Sequence, residues 1–203
     1  MDYKDKALDQ IEEILQWSMV DLADIPKIPL YMEQVTSFFD EIMARLRRTE
    51  DDKILTKTMI NNYTKEGTLP RPVGKKYSRE HMIRLVYIFM LKQMLSLQDI
   101  KQIFELLGRD NDTEAVYSAC LSIVEEYKDS YRQSLATKME HVEEKLIEKG
   151  INTEENFELL LVMLTATEAM VGKMLIWKML DGAAEQRQQE REAAREQVAK
   201  EKR

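Results

Sequence analysis

Thr58, Asn61, Asn62 and Lys65 recur at i, i+3, i+4 and i+7, so a helix here carries a hydroxyl, two carboxamides and an ammonium along one face. A few residues later Arg71, Lys75 and Lys76 are set among Pro70, Pro72 and Gly74. Amides and hydroxyls exchange hydrogen bonds, and clustered cations attract a polyanion. Both chemistries recognise a surface, and neither breaks a covalent bond. The net charge of −7 hides this local character. Between residues 45 and 92, twelve basic residues meet five acidic ones, so this window carries +7 and the remainder −14. A phosphate backbone responds to the local field rather than to the total. One segment therefore suits nucleic acid and the rest repels it.

Catalytic chemistry finds no comparable grouping. His81 and His141 lie far apart in sequence, and neither has a Cys, Asp or Glu at metal-ligand spacing. His81, in the first turn of a helix, is expected to be a partly exposed polar residue. There is no glycine-rich phosphate loop and no nucleophile elbow, and pairs such as Glu125-Glu126 and Glu143-Glu144 read as solvated helix faces. Cys120 is the sole cysteine, so no internal disulfide forms, and its apolar neighbours predict a small buried hydrophobe. The expectation is a protein that is not an enzyme and that needs no metal or cofactor. Met163, Met170, Met174 and Met179, with Trp177, form one further cluster, read as core or dimer packing, with a small-molecule effector pocket as the lesser reading.

The elements that must position these groups are helical. Of 203 residues, 44% are hydrophobic and 33% charged, and six Gly and four Pro leave few turns for sheets. The expected class is mostly α, with one small two-stranded β-ribbon. Apolar spacing predicts helices over about 6–23 and 31–46, then a polar loop over 47–53. Thr56 is an N-cap candidate with Leu55 and Ile60 as a hydrophobic staple, and Gly67 closes that helix. Residues 69–77, with two prolines and a glycine, predict a tight ribbon with a basic tip. Ser78 caps a helix running to about 94, whose all-round apolar character makes it central. Ser96-Leu97-Gln98-Asp99 has capping-box spacing. A long helical region follows over 112–149, with a possible break near Asp129, and Thr153 caps a last helix, apolar on most sides over 157–180. One such helix does not hide that surface alone.

Four segments follow: an N-terminal helix and linker (1–28), a compact unit (29–108), a helical dimerisation or effector region (109–182) and a charged, fraying tail (183–203). The charged opening predicts no signal peptide. Glu168, Gly172, Lys173 and Lys178 interrupt the most apolar run, which favours burial against protein over a bilayer span. The expected location is cytoplasmic.

Residues 56–70, Thr-Lys-Thr-Met-Ile-Asn-Asn-Tyr-Thr-Lys-Glu-Gly-Thr-Leu-Pro, resemble the recognition helix and turn of the MerR family. Lys75-Lys76-Tyr77-Ser78-Arg79-Glu80-His81-Met82 resembles its wing and next helix, and residues 94–103 resemble its last helix. The fuller pattern from residue 28, including Leu30-Tyr31-Met32-Glu33-Gln34-Val35, is similar to an uncharacterised bacterial family described only as a domain of unknown function and grouped with MerR-like domains.

The resemblance implies a winged helix-turn-helix that places the helix over 56–65 in the major groove of double-stranded DNA. Asn61 and Asn62 would then meet adenine edges, and Thr58 a base or a phosphate. Thr56, which starts that helix, is counted among the DNA-binding residues, and Lys57, Lys65, Arg71, Lys75 and Lys76 would hold phosphates. Tyr63 and Tyr77 are assigned to packing. The expected protein is a transcription regulator, a homodimer paired through its C-terminal helices on a roughly palindromic site. The competing expectation is a non-catalytic interaction module that keeps the same scaffold and docks a partner on its apolar C-terminal helix.

Overall fold

The computed structural model describes residues 2–44, 49, 53–106 and 112–201. Among them are seven helices and one two-stranded antiparallel sheet. In chain order these are α1 (Asp2–Leu15), β1 (Leu30–Tyr31), α2 (Met32–Ile42), α3 (Lys57–Glu66), β2 (Lys76–Tyr77), α4 (Arg79–Leu91), α5 (Leu97–Leu106), α6 (Thr113–Lys149) and α7 (Glu154–Glu201). The mostly helical class is as expected.

The main core gathers around α4. Met82, Ile83, Leu85, Val86 and Ile88 are all buried, and these positions point to every side of the helix. Val35 and Phe39 of α2, Ile60 and Tyr63 of α3, Ile100 and Phe104 of α5 and Tyr117 of α6 close around it. Each such side chain withdraws enough apolar surface to contribute about 1.5–3 kcal/mol.

Three departures from the expected elements have physical causes. First, α1 ends at Leu15 rather than near residue 23. The chain then leaves the helix so that Met19, Val20 and Ile25 enter the main core. Polar clamps hold it there: the Tyr117 hydroxyl donates to the Val20 carbonyl at 2.6 Å. Arg79 donates to the carbonyls of Leu22 and Ile25 and pairs with Glu114 at 3.0 Å. Second, the two arms of the 69–77 ribbon share only one bridge, Val73 with Lys76. The sheet itself joins β2 to the distant β1, in the register Leu30–Tyr77 and Tyr31–Lys76. Third, α6 continues through Asp129 without a break, because that carboxylate lies outside and pairs with Arg132 at 2.6 Å.

Helix ends follow the predicted caps. The Thr56 hydroxyl accepts from the Met59 N–H at 3.1 Å, and Ser96 and Asp99 exchange reciprocal bonds of 3.0 and 3.1 Å. Gly67 takes φ +77 as α3 ends. The helix expected to reach 94 stops at Leu91, and the Leu95 N–H bonds back to the Leu91 carbonyl at 2.8 Å. The predicted stops at Leu46 and Gly108 and most of the 47–53 loop fall outside the described residues.

The last two helices form an antiparallel pair with a smaller core of Met139, Val142, Leu146 and Phe157, to which α1 adds Ala7 and Ile11. Beyond that core α7 is largely uncovered. From residue 158 to 179 no side chain is fully buried. Among the described residues one helix, Glu154–Glu190, is long and apolar enough by length and composition to cross a membrane.

Candidate functional site

Position 56 is where α3 begins, and its side chain is engaged in capping Met59 rather than free to bind a ligand. From there the helix turns Ile60 and Tyr63 inward and leaves Thr58, Asn61, Asn62 and Lys65 exposed. The inward pair anchors the helix on the core, which fixes the direction of the outward four. Gly67 then reverses the chain: the N–H groups of Thr68 and Leu69 both reach the Tyr63 carbonyl, at 2.9 and 3.0 Å. Thr68 and Leu69 are buried, so the next segment starts from a pinned point.

That segment carries the basic turn. Lys76 N–H donates to Val73 carbonyl at 3.0 Å, with Gly74 at φ +57 and Lys75 at φ +63. Two consecutive left-handed residues define the tight turn that best joins twisted strands. Arg71, Lys75 and Lys76 are exposed along it.

One junction ties turn and helix together. The Lys57 ammonium, in the first turn of α3, bonds Glu33 of α2 at 2.7 Å and holds its carboxyl below the usual range. Two residues earlier, Tyr31 pairs with Lys76 in the sheet, and the Lys76 ammonium stands 5.1 Å from the Tyr31 ring centroid. The start of α3 and the end of the turn thus rest on the same short stretch, residues 31–33. Lys65, Arg71 and Lys75 are exposed and have no ion pair with any described residue.

The expected phosphate contacts are therefore of two kinds, with Lys57 already neutralised by Glu33 and Lys76 leaning on an aromatic face. The basic window also contains residues that serve packing. Arg79 is held by two carbonyls and Glu114, and Arg84 by Glu80 at 3.0 Å with the Phe104 ring 5.1 Å away. Two cations that spacing did not single out lie beside α3. Lys101 Nζ approaches the Glu66 carbonyl at 3.5 Å, where a helix C-terminus favours positive charge, and Lys92 stands 5.6 Å from the Tyr63 ring centroid. Only tertiary packing brings them there, and no local pattern signals it.

His81 corrects an expectation: it is buried at 8% exposure rather than partly exposed. Its Nδ1 takes the Ser78 N–H at 3.2 Å and lies 2.7 Å from the Ser78 hydroxyl, so the ring stands in for the usual acidic partner of a capping box. Nε2 lies against the backbone of Pro70 and Arg71 without closing a hydrogen bond of normal geometry. The Tyr77 ring meets it edge-on at 5.7 Å. Burial lowers its pKa. The imidazole is a neutral wedge between the basic turn and α4. Tyr63 and Tyr77 are buried, as expected of packing residues. Cys120 is half-buried against the main core. Among the described residues no group of three or more His, Cys, Asp or Glu side chains is placed to hold a metal ion.

The profile of one protein family, described as a domain of unknown function (DUF1836), matches residues 20–132. That span covers the main core, the basic turn and the first half of α6. No curated protein matches the chain, and no solved structure does.

Proposed function

The chain belongs to the DUF1836 family, and from that premise we propose that it is a DNA-binding transcription regulator of the cytoplasm, without catalytic activity. The observation that carries this reading is the exposed row Thr58, Asn61, Asn62 and Lys65, set beside a cationic turn whose base shares residues 31–33 with the start of α3. In this reading α3 enters the major groove of double-stranded DNA. Asn61 and Asn62 bond adenine edges, and Lys65, Arg71, Lys75 and Lys76 neutralise phosphates. The resemblance of residues 56–82 to the MerR-type helix and wing supports the same placement, with the turn as the wing of a winged helix-turn-helix. Two copies joined through their C-terminal helices would read a roughly palindromic site.

Fluorescence anisotropy with an oligonucleotide selected from a random pool, across a salt series, tests the proposal. Binding should weaken steeply with salt, and Lys75→Ala with Lys76→Ala should flatten the slope by about two units while weakening every sequence alike. Salt-independent binding, or none, rejects it.

A second reading rests on one specific feature, the uncovered apolar face of α7. There the compact half is a scaffold, and the chain is a non-catalytic interaction module. It expects association to survive neutralisation of the basic turn, with no shift on any DNA.

A further inference from the structure

Two apolar stripes run along α7. The first, Phe157, Leu161, Leu164 and Ile176, packs against the two cores, and Leu180 beyond it is buried. The second, Leu159, Met163, Met170 and Met174, runs along the outer side, with each side chain 56–57% exposed. A helix exposed to water on its outer side needs no second stripe.

We propose that the outer stripe is an antiparallel two-fold seam between two copies of this chain, with the axis passing between Ala166 and Thr167. This deepens the homodimer of the reading above by giving it a place and a register. Three observations point to a second copy rather than another partner.

The stripe is self-complementary about its own centre. Small side chains, Ala166 and Thr167, occupy the middle, where the backbones come closest. Met163 and Met170 stand three and a half residues to either side of that centre, and Leu159 and Met174 seven and a half. An antiparallel copy therefore sets Met163 against Met170 of the second copy, and Leu159 against its Met174. An isologous interface requires such symmetry, and a foreign partner does not.

The area also fits. The four exposed side chains present on the order of 450 Å², before Leu160, Ala166, Thr167 and Trp177 are added, and a standard interface needs about 800 Å² from each partner. Finally, a bilayer is a poor occupant. α6 lies along α7 with Glu144, Lys145 and Glu148 exposed, and Lys138 reaches across to Glu168 at 2.6 Å. Inserting the stripe would bring these charges to the same depth.

The test uses the full chain with Cys120→Ser, so that introduced cysteines report alone. Thr167→Cys, next to the axis, should oxidise to a covalent dimer. Met174→Cys alone should not, since its two copies stand about 20 Å apart along the seam. Leu159→Cys mixed with Met174→Cys should give the mixed disulfide. Met163→Glu with Met170→Glu, both on the protomer surface, should weaken dimerisation at least ~100-fold in sedimentation while leaving helicity unchanged. A monomer at tens of micromolar overturns the proposal, whether or not it binds phosphatidylglycerol vesicles, and so does self-crosslinking of Met174→Cys. Dimers that fail to bind DNA leave the seam standing and count against the regulator reading alone.

Discussion

The two halves of this molecule solve the burial problem in opposite ways. Around α4 every large apolar side chain finds a neighbour from another element, and Phe39, Ile83 and Ile100 have no exposed surface at all. Along α7 side chains of the same kind stand more than half in water. Hydrophobicity per residue does not separate the two regions. The first half is folded in on itself by short helices and turns, whereas the second is two long rods that touch along one line. A globular half defines its own interior, and a rod must acquire one from a second surface.

Truncation should sharpen that contrast most. Phe39→Ala removes a ring that nothing can replace and should cost about 3–5 kcal/mol in urea unfolding. Met170→Ala, similar in volume lost, should change protomer stability by less than about 0.5 kcal/mol when measured below the dimer dissociation constant. Equal costs at the two sites would erase the distinction. Within the globular half, Thr56→Ala removes the cap of α3 and should cost about 1 kcal/mol by thermal melting. Binding should then weaken through a frayed helix rather than a lost contact.

The smallest expected effect is a pH dependence confined to the globular half. Burial lowers the pKa of His81, so between its native value and 6.5 the unfolded chain takes up a proton that the folded ring refuses. Stability from this residue is complete above about 6.5 and declines as the pH falls through that window. His81→Gln keeps an acceptor for the Ser78 N–H and should flatten that part of the stability curve. A profile identical to the parent's would exclude His81 as the titrating group.

What the sequence made legible was the local grammar. Thr56, Gly67, Ser96 with Asp99, and Thr153 act within three or four residues of themselves, and each sits where its chemistry placed it. The outward row on α3 was readable for the same reason, since its inward partners Ile60 and Tyr63 fix the face. What failed was long in range. Nothing near Val20 announces that its carbonyl meets the Tyr117 hydroxyl outside any helix, and nothing in residues 69–77 reveals that β2 pairs with residues 30–31. Charge counting likewise treated Arg79 and Arg84 as available cations, although both hold the core together. A first-turn position predicts partial exposure for His81, and its capping role is visible only with the ring beside Ser78.

The continuity of α7 has a mechanical consequence. Its register is shared by two contacts, the outer stripe centred on residues 166–167 and the foot of α5. There Asp99 is held below its usual range chiefly by Ser96, with help from Trp177 and Lys173. No proline or break lies between them. With two copies joined along that stripe, the angle between the two polar faces is a phase counted in residues. One residue inserted after Met174 should swing each globular half by about 100° around the rod, and seven should bring it nearly back into phase. The spacing of whatever the pair grips is then measured out by helical pitch.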